Sequence, residues 1–302
     1  MGDSGRKSLN RKDGMAALRT VGARWKGCQH YRILTHRFSL LWNAPDFQRL
    51  AEDLYPNCRT GAVESPQVTY SLYRKGQTSY LFRGEKPVVA ETVSSRLFPY
   101  LEWAVTEDAM GGLGAFYQLH ASAVARDGCG ILLPAESGCG KTSLAVALCL
   151  NGFSPLDDDI TMIDPDCCEL VAFPRSFLIK EGILQVLPEL KVLIHPADNL
   201  YWRDGERIWY LPRERLADTP TDRIEPKYLV FPHHSSTAKT QFSEIGETEA
   251  LEALITKSFN FSRFKRRGVE LLSKLVRKVR SFRLTYRDIG GAVEAISALF
   301  CR

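Results

Sequence analysis

Residues 135–143 read Ala135-Glu136-Ser137-Gly138-Cys139-Gly140-Lys141-Thr142-Ser143, a spacing that suits phosphate chemistry. Gly138 and Gly140 let the backbone turn tightly, so that its N–H groups can point at phosphate oxygens. Lys141 would reach the β- and γ-phosphates of a nucleotide, and the Thr142 hydroxyl would ligate magnesium. The stretch is a Walker A phosphate loop in which Ala135 replaces the first glycine. Alanine fits there only if φ is negative. The cofactors expected are therefore ATP and Mg2+.

A second group of acids follows one helix later, Asp157-Asp158-Asp159. Successive carboxylates repel one another unless a cation or a proton compensates them. Magnesium carried with nucleotide phosphates would compensate them. One acid could then hold the metal while its neighbour takes a proton from an attacking hydroxyl.

The flanks are those that such a site needs. Ile131-Leu132-Leu133 reads as a buried strand entering the loop, and Leu144–Leu150 reads as a helix leaving it, stopped by Gly152. Tyr117–Val124 alternates like a strand, and Asp127-Gly128 predicts a hairpin turn between it and the loop strand. Ile160–Asp164 predicts a strand after the acids. An antiparallel partner beside a phosphate-loop strand is unusual for a parallel-sheet NTPase.

His120, the Ser137–Thr142 loop, Asn151-Gly152-Phe153 and Asp158-Asp159 before a strand together resemble the catalytic domain of HPr kinase/phosphorylase. They resemble more weakly the bacterial kinases that phosphorylate ribosomally made peptides such as lasso peptides. The resemblance is specific over residues 117–164. It implies an α/β fold with a mixed sheet around a phosphate loop, shared with phosphoenolpyruvate carboxykinase. It implies a serine kinase, with Asp158 as catalytic base, Asp159 as a second acid near magnesium and His120 close to the transferred phosphate. The acceptor it implies is a small protein or peptide carrying a serine. Ser143 stands where HPr kinases commonly carry glutamate. The phosphorylase signature has no clean copy, the nearest segment being Pro174–Gly182 with Arg175 and Lys180. A one-way kinase is therefore expected. The alternative is a non-kinase NTPase or nucleotide-dependent regulatory module with a basic partner-binding helix.

Composition bounds these readings. The chain has 302 residues, 44% hydrophobic content and a net charge of +5. No apolar run approaches the roughly 20 residues that cross a bilayer. The polar, basic start lacks an apolar leader, so a soluble cytoplasmic protein is expected. The eight cysteines have no metal-ligand spacing and read as free thiols. The division expected is a flexible basic tail over 1–25, a small α+β module over 26–110 and the catalytic domain over 111–302. In the module, 38–42 and 68–73 predict strands, and 44–54 and 92–110 predict helices. Tyr201–Tyr210 predicts a hairpin, Tyr228–Phe231 a core strand followed by a loop at His233-His234, and the end of the chain a strand and a helix.

Arg263, Lys265, Arg266, Arg267, Lys274, Arg277, Lys278, Arg280 and Arg283 cluster against Glu270. They overlie an amphipathic pattern whose buried stripe is Val269, Leu272, Val276 and Val279. Such a face could meet nucleic acid or an acidic peptide, or remain solvated. Neither a membrane nor nucleic acid is expected as a partner, and homo-oligomerisation is left open.

Overall fold

The computed structural model describes residues 25–52, 54–61, 65–136, 138–194, 200–220 and 223–301. The tail expected over 1–25 lies outside them, Trp25 excepted, as does Ser137 of the glycine loop. The fold is mixed α/β, in two compact units: residues up to Leu113 with Ile194–Tyr210, and Gly114–Leu193 with the chain from Leu211 onward.

The first unit is a sheet of β1 (Gly27–Ile33), β2 (His36–Trp42), β3 (Arg59–Thr60), β4 (Val68–Lys75), β5 (Thr78–Arg83) and β6 (Lys86–Glu91), in the order β3-β1-β2-β4-β5-β6. Phe38, Tyr70, Leu72 and Phe82 build its core with Phe98, Leu101 and Val105 of the helix Phe98–Gly112. That helix starts later than the expected Thr92. Val93 is extended and Ser94–Arg96 forms a 3-10 turn. Pro99 then sits in the first helical turn, where its missing N–H costs nothing. Gly111-Gly112 does not stop the helix, whose last residue is Gly112. The helix expected over 44–54 is shorter, Pro45–Ala51.

In the second unit the chain forms β7 (Tyr117–Leu119), β8 (Ala121–Arg126), β9 (Cys129–Pro134), β10 (Ser154–Asp157), β11 (Thr161–Ile163), β12 (Leu170–Val171) and β13 (Phe177–Lys180). It returns to the first unit through β14 (Tyr201–Arg203) and most of β15 (Glu206–Leu211). This hairpin turns on Asp204-Gly205, both at positive φ. The sequence reading placed residues 194–210 in the catalytic domain. They belong with the first unit because Tyr201 packs on Phe98, with ring centroids 5.8 Å apart, and its hydroxyl donates to the Leu50 carbonyl.

The chain closes the second unit with β16 (Glu225–His234), β17 (Gln241–Glu244) and β18 (Arg280–Tyr286). Its main sheet has the order β10-β8-β9-β16-β18-β17. β9, β16 and β18 run parallel, while β8, β10 and β17 run antiparallel to their neighbours. Ile131-Leu132-Leu133 and Leu229-Val230 are fully buried, as inner strands covered on both faces require. Leu271, Leu272, Leu275 and Val276 of the helix Arg266–Lys278 join the same core as Leu132 and Leu229. His233 and His234, expected in a loop, instead end β16, paired with Thr285 and Tyr286 of β18.

Candidate active site

The glycine loop joins β9 to the helix Lys141–Leu150. Gly138 and Gly140 have φ of +82° and +83°, a conformation that L side chains rarely adopt. Ala135 keeps a negative φ and is buried. Glu136 is exposed, its carbonyl accepting from the Cys139 N–H at 3.3 Å. Thr142 and Ser143 are half-buried in the first helical turn. A Cβ on Gly140 would lie 3.1 Å from the Tyr286 hydroxyl. Burial pushes that phenol up to about 12, so it stays protonated. Tyr286 was legible in the sequence only as a strand residue.

His120 sits where the expected strand 117–124 breaks. β7 pairs with β11, whereas β8 belongs to the main sheet. At the break the His120 N–H leaves both ladders and donates to the Lys257 carbonyl at 2.7 Å. The imidazole is half-buried and lies edge-on to Phe259, centroids 5.4 Å apart. Burial, and then the charge of Lys141, lower its pKa and keep the ring neutral. A neutral ring accepts from the Lys141 ammonium at Nε2 (3.1 Å) and donates from Nδ1 to the Asp159 carbonyl (3.3 Å).

Lys141 is buried, yet its ammonium has three oxygen or nitrogen neighbours. Besides His120 Nε2, they are the Glu136 carbonyl at 3.2 Å and the Asp159 carboxylate at 3.5 Å. Asp159 is the exposed member of the acidic triplet, with a side chain 40% exposed against 4% for Lys141. A lysine, a neutral histidine and a partly exposed carboxylate thus converge at the start of the helix.

The other two acids are buried. Asp158 lies against Thr142, whose hydroxyl favours the ionised carboxylate, and its Oδ2 accepts from the Leu178 N–H at 3.1 Å. Its Oδ1 is buried with no hydrogen-bond partner among the described residues. Burial, and then the neighbouring Asp159 charge, push its pKa up to about 7, with Arg175 opposing. Asp157 accepts from the Phe173 N–H at 2.6 Å. Burial raises its pKa well above the ordinary value, against the charges of Arg213 and Arg175. The triplet is therefore divided among three environments rather than forming one solvated turn. Arg175, considered in the sequence reading as a phosphate ligand, stands near the two buried acids. Lys180 is exposed at the end of β13.

The segment Lys257–Asn260, which carries no sequence motif, forms a wall beside His120. Phe259 N–H donates to Gln118 O (2.9 Å), and Asn260 holds Gln118 N–H (3.0 Å) and Phe116 O (2.9 Å) through its amide. Ser258 and Tyr117 share a hydroxyl contact at 2.6 Å. Lys257 is only 13% exposed and its ammonium pairs with Glu136. Among the described residues no three His, Cys, Asp or Glu are grouped to hold a metal. Magnesium carried by nucleotide phosphates needs only one or two protein ligands. The half-buried Thr142 hydroxyl and the partly exposed Asp159 carboxylate are oxygen donors of the kind such a cation takes.

The basic cluster is distributed differently from its sequence pattern. Arg263 lies in a short helix, Phe261–Phe264, Lys265 breaks it at φ +48°, and Arg280 and Arg283 lie in β18. Leu272, Val276 and Val279 are buried as expected, and Val269 is half-buried. Arg277 pairs with Glu247 (3.6 Å), Lys278 with Glu225 (3.0 Å), Arg280 with Glu244 (3.2 Å) and Arg283 with Glu249 (2.5 Å). These acids lie far away in sequence, which is why the cluster looked unbalanced.

No protein-family model matches the chain, and no curated protein sequence matches it. Among solved structures it is similar to an HPr(Ser) kinase/phosphatase from Coxiella burnetii, at 11% identity and a TM-score of 0.31, covering 61% of this chain and 97% of that one. Likeness at that level establishes neither family nor activity. Among the described residues no helix is long and apolar enough to cross a membrane. All eight cysteines are free.

Proposed function

We propose that the chain is an ATP-dependent kinase that transfers the γ-phosphate to a serine hydroxyl of a small protein or ribosomal peptide. The observation that carries this reading is Asp158, a buried carboxylate raised to about 7, with one free oxygen, beside Thr142 at the start of the helix that follows a glycine loop. A general base works best when its pKa lies near the operating pH. Lys141, already in contact with His120 and Asp159, would exchange the Asp159 carboxylate for phosphate oxygens. The neutral His120 would position Lys141 and lie close to the transferred group. Asp158 would take the serine proton as the hydroxyl oxygen attacks the γ-phosphorus and the bond from that phosphorus to the β–γ bridging oxygen breaks, so that ADP leaves. Magnesium, held by Thr142 and Asp159 with the nucleotide, would neutralise phosphate charge. The ion pairs on the basic helix weaken the alternative of a regulatory module that binds partners through that face.

The test is transfer of label from [γ-32P]ATP to serine-containing acceptor peptides and to water. Wild type should release or transfer label in the presence of Mg2+, and Asp158→Asn should still bind ATP while losing transfer. Label turnover unchanged in Asp158→Asn would reject Asp158 as the base. Absence of nucleotide binding in wild type would reject the kinase reading.

A further inference from the structure

Two ammonium groups face the glycine loop, and only Lys141 belongs to its motif. Lys257 comes from the segment that walls His120. Its backbone is fixed: its carbonyl accepts from His120, and hydrogen bonds at Ser258, Phe259 and Asn260 tie the following residues to Phe116–Gln118. Its side chain is 13% exposed, whereas its partner Glu136 is 75% exposed and sits on the loop itself. A lysine with so little access to water needs an anion close by. An exposed loop carboxylate is an anion that can leave at little cost, because its own charge is readily solvated. Both ammonium groups meet Glu136, Lys257 at its carboxylate and Lys141 at its carbonyl.

We propose that Lys257 is a second phosphate-binding lysine of this site, and that Glu136 is the carboxylate a polyphosphate displaces from it. The proposal rests on residues 135–143 being a phosphate loop. Before binding, Glu136 occupies Lys257 and repels incoming phosphate. On binding, a phosphoryl oxygen replaces the carboxylate, and Glu136 turns to solvent. Because the Lys257 backbone is already fixed, only side-chain freedom is lost in the exchange.

The two partners must then act with opposite signs. Titrations of ATP and of inorganic tripolyphosphate, at fixed salt, into wild type, Lys257→Gln, Lys257→Arg, Glu136→Gln and Lys141→Ala decide it. Lys257→Gln should weaken both ligands about tenfold, the usual scale for one charged hydrogen bond. Lys257→Arg should stay within about threefold of wild type, and Glu136→Gln should tighten both ligands about threefold. Should Lys257→Gln fail to fold, the Glu136→Gln and Lys257→Arg arms carry the test. If Glu136→Gln weakens binding, the ion pair is only a structural clamp and the proposal is overturned. Unchanged affinity in Lys257→Gln, with Lys141→Ala impaired, also overturns it and leaves the phosphate loop standing. Unchanged affinity in Lys141→Ala removes the phosphate-loop reading itself.

Discussion

Lys141 and the basic face around the helix Arg266–Lys278 carry the same charge in opposite settings. Lys141 is buried, and its ammonium meets a neutral histidine, a carbonyl and a carboxylate that is itself 40% exposed. Arg277, Arg280 and Arg283 are exposed, each against an exposed glutamate. Exposed pairs contribute about 0–1 kcal/mol and are screened by salt. A buried charge has strong interactions that depend on each partner. The proposed function therefore rests on the handful of desolvated charges at the glycine loop, not on the larger number of charges on the surface.

The same contrast separates the acids, and removing Asp158 should have the largest effect. Asp158→Asn should lower phosphoryl transfer by roughly 10²–10⁴-fold while leaving ATP binding near wild type. Transfer assays on the purified variant check this, with Asp157→Asn as the comparison. If Asp157→Asn is dead and Asp158→Asn is active, the base has been assigned to the wrong acid.

The raised Asp158 pKa also sets a pH dependence. The base acts ionised, so transfer should rise with pH and level off above about 7. A rate that is flat between about pH 5.5 and 8 would contradict it. Stability should move the other way. The folded state holds the Asp158 proton more tightly than the unfolded chain, so stability falls as pH rises from the ordinary carboxylate range to about 7. Asp158→Asn should then raise the melting temperature at pH 8 by about 2–4 °C. The gain should vanish at a pH below the ordinary carboxylate range, which a thermal scan at each pH would show.

The smallest effect belongs to the surface. Arg277→Glu together with Lys278→Glu should change acceptor KM at low salt by less than about threefold, because each site already has a neighbouring acid and lies among screened charges. A tenfold rise in acceptor KM, with KM for ATP unchanged, would make the basic face a docking surface.

What could be read from sequence was local. The glycine loop, its strand and helix, and the Asp127-Gly128 and Asp204-Gly205 turns follow from neighbouring residues, and the structure has them. Contacts across the chain were not legible. Tyr117–Val124 alternates as one strand, but the Lys257 carbonyl takes the His120 N–H and divides it between two sheets. Asp157-Asp158-Asp159 looks like one acidic turn, but Asp157 and Asp158 are buried and accept from the Phe173 and Leu178 N–H groups, while Asp159 stays partly exposed. Lys257, Phe259 and Tyr286 belong to no motif, and only the fold brings them to the site.

The central claim is that the buried lysine of the glycine loop holds nucleotide phosphate. Calorimetric titration of Mg·ATP into wild type and Lys141→Ala tests it most directly. Wild type should bind saturably, and the variant should lose about 100-fold or more in affinity, as loss of a desolvated charge partner does, with its melting profile retained. Equal affinity in the two proteins, or no binding to wild type, would contradict the claim.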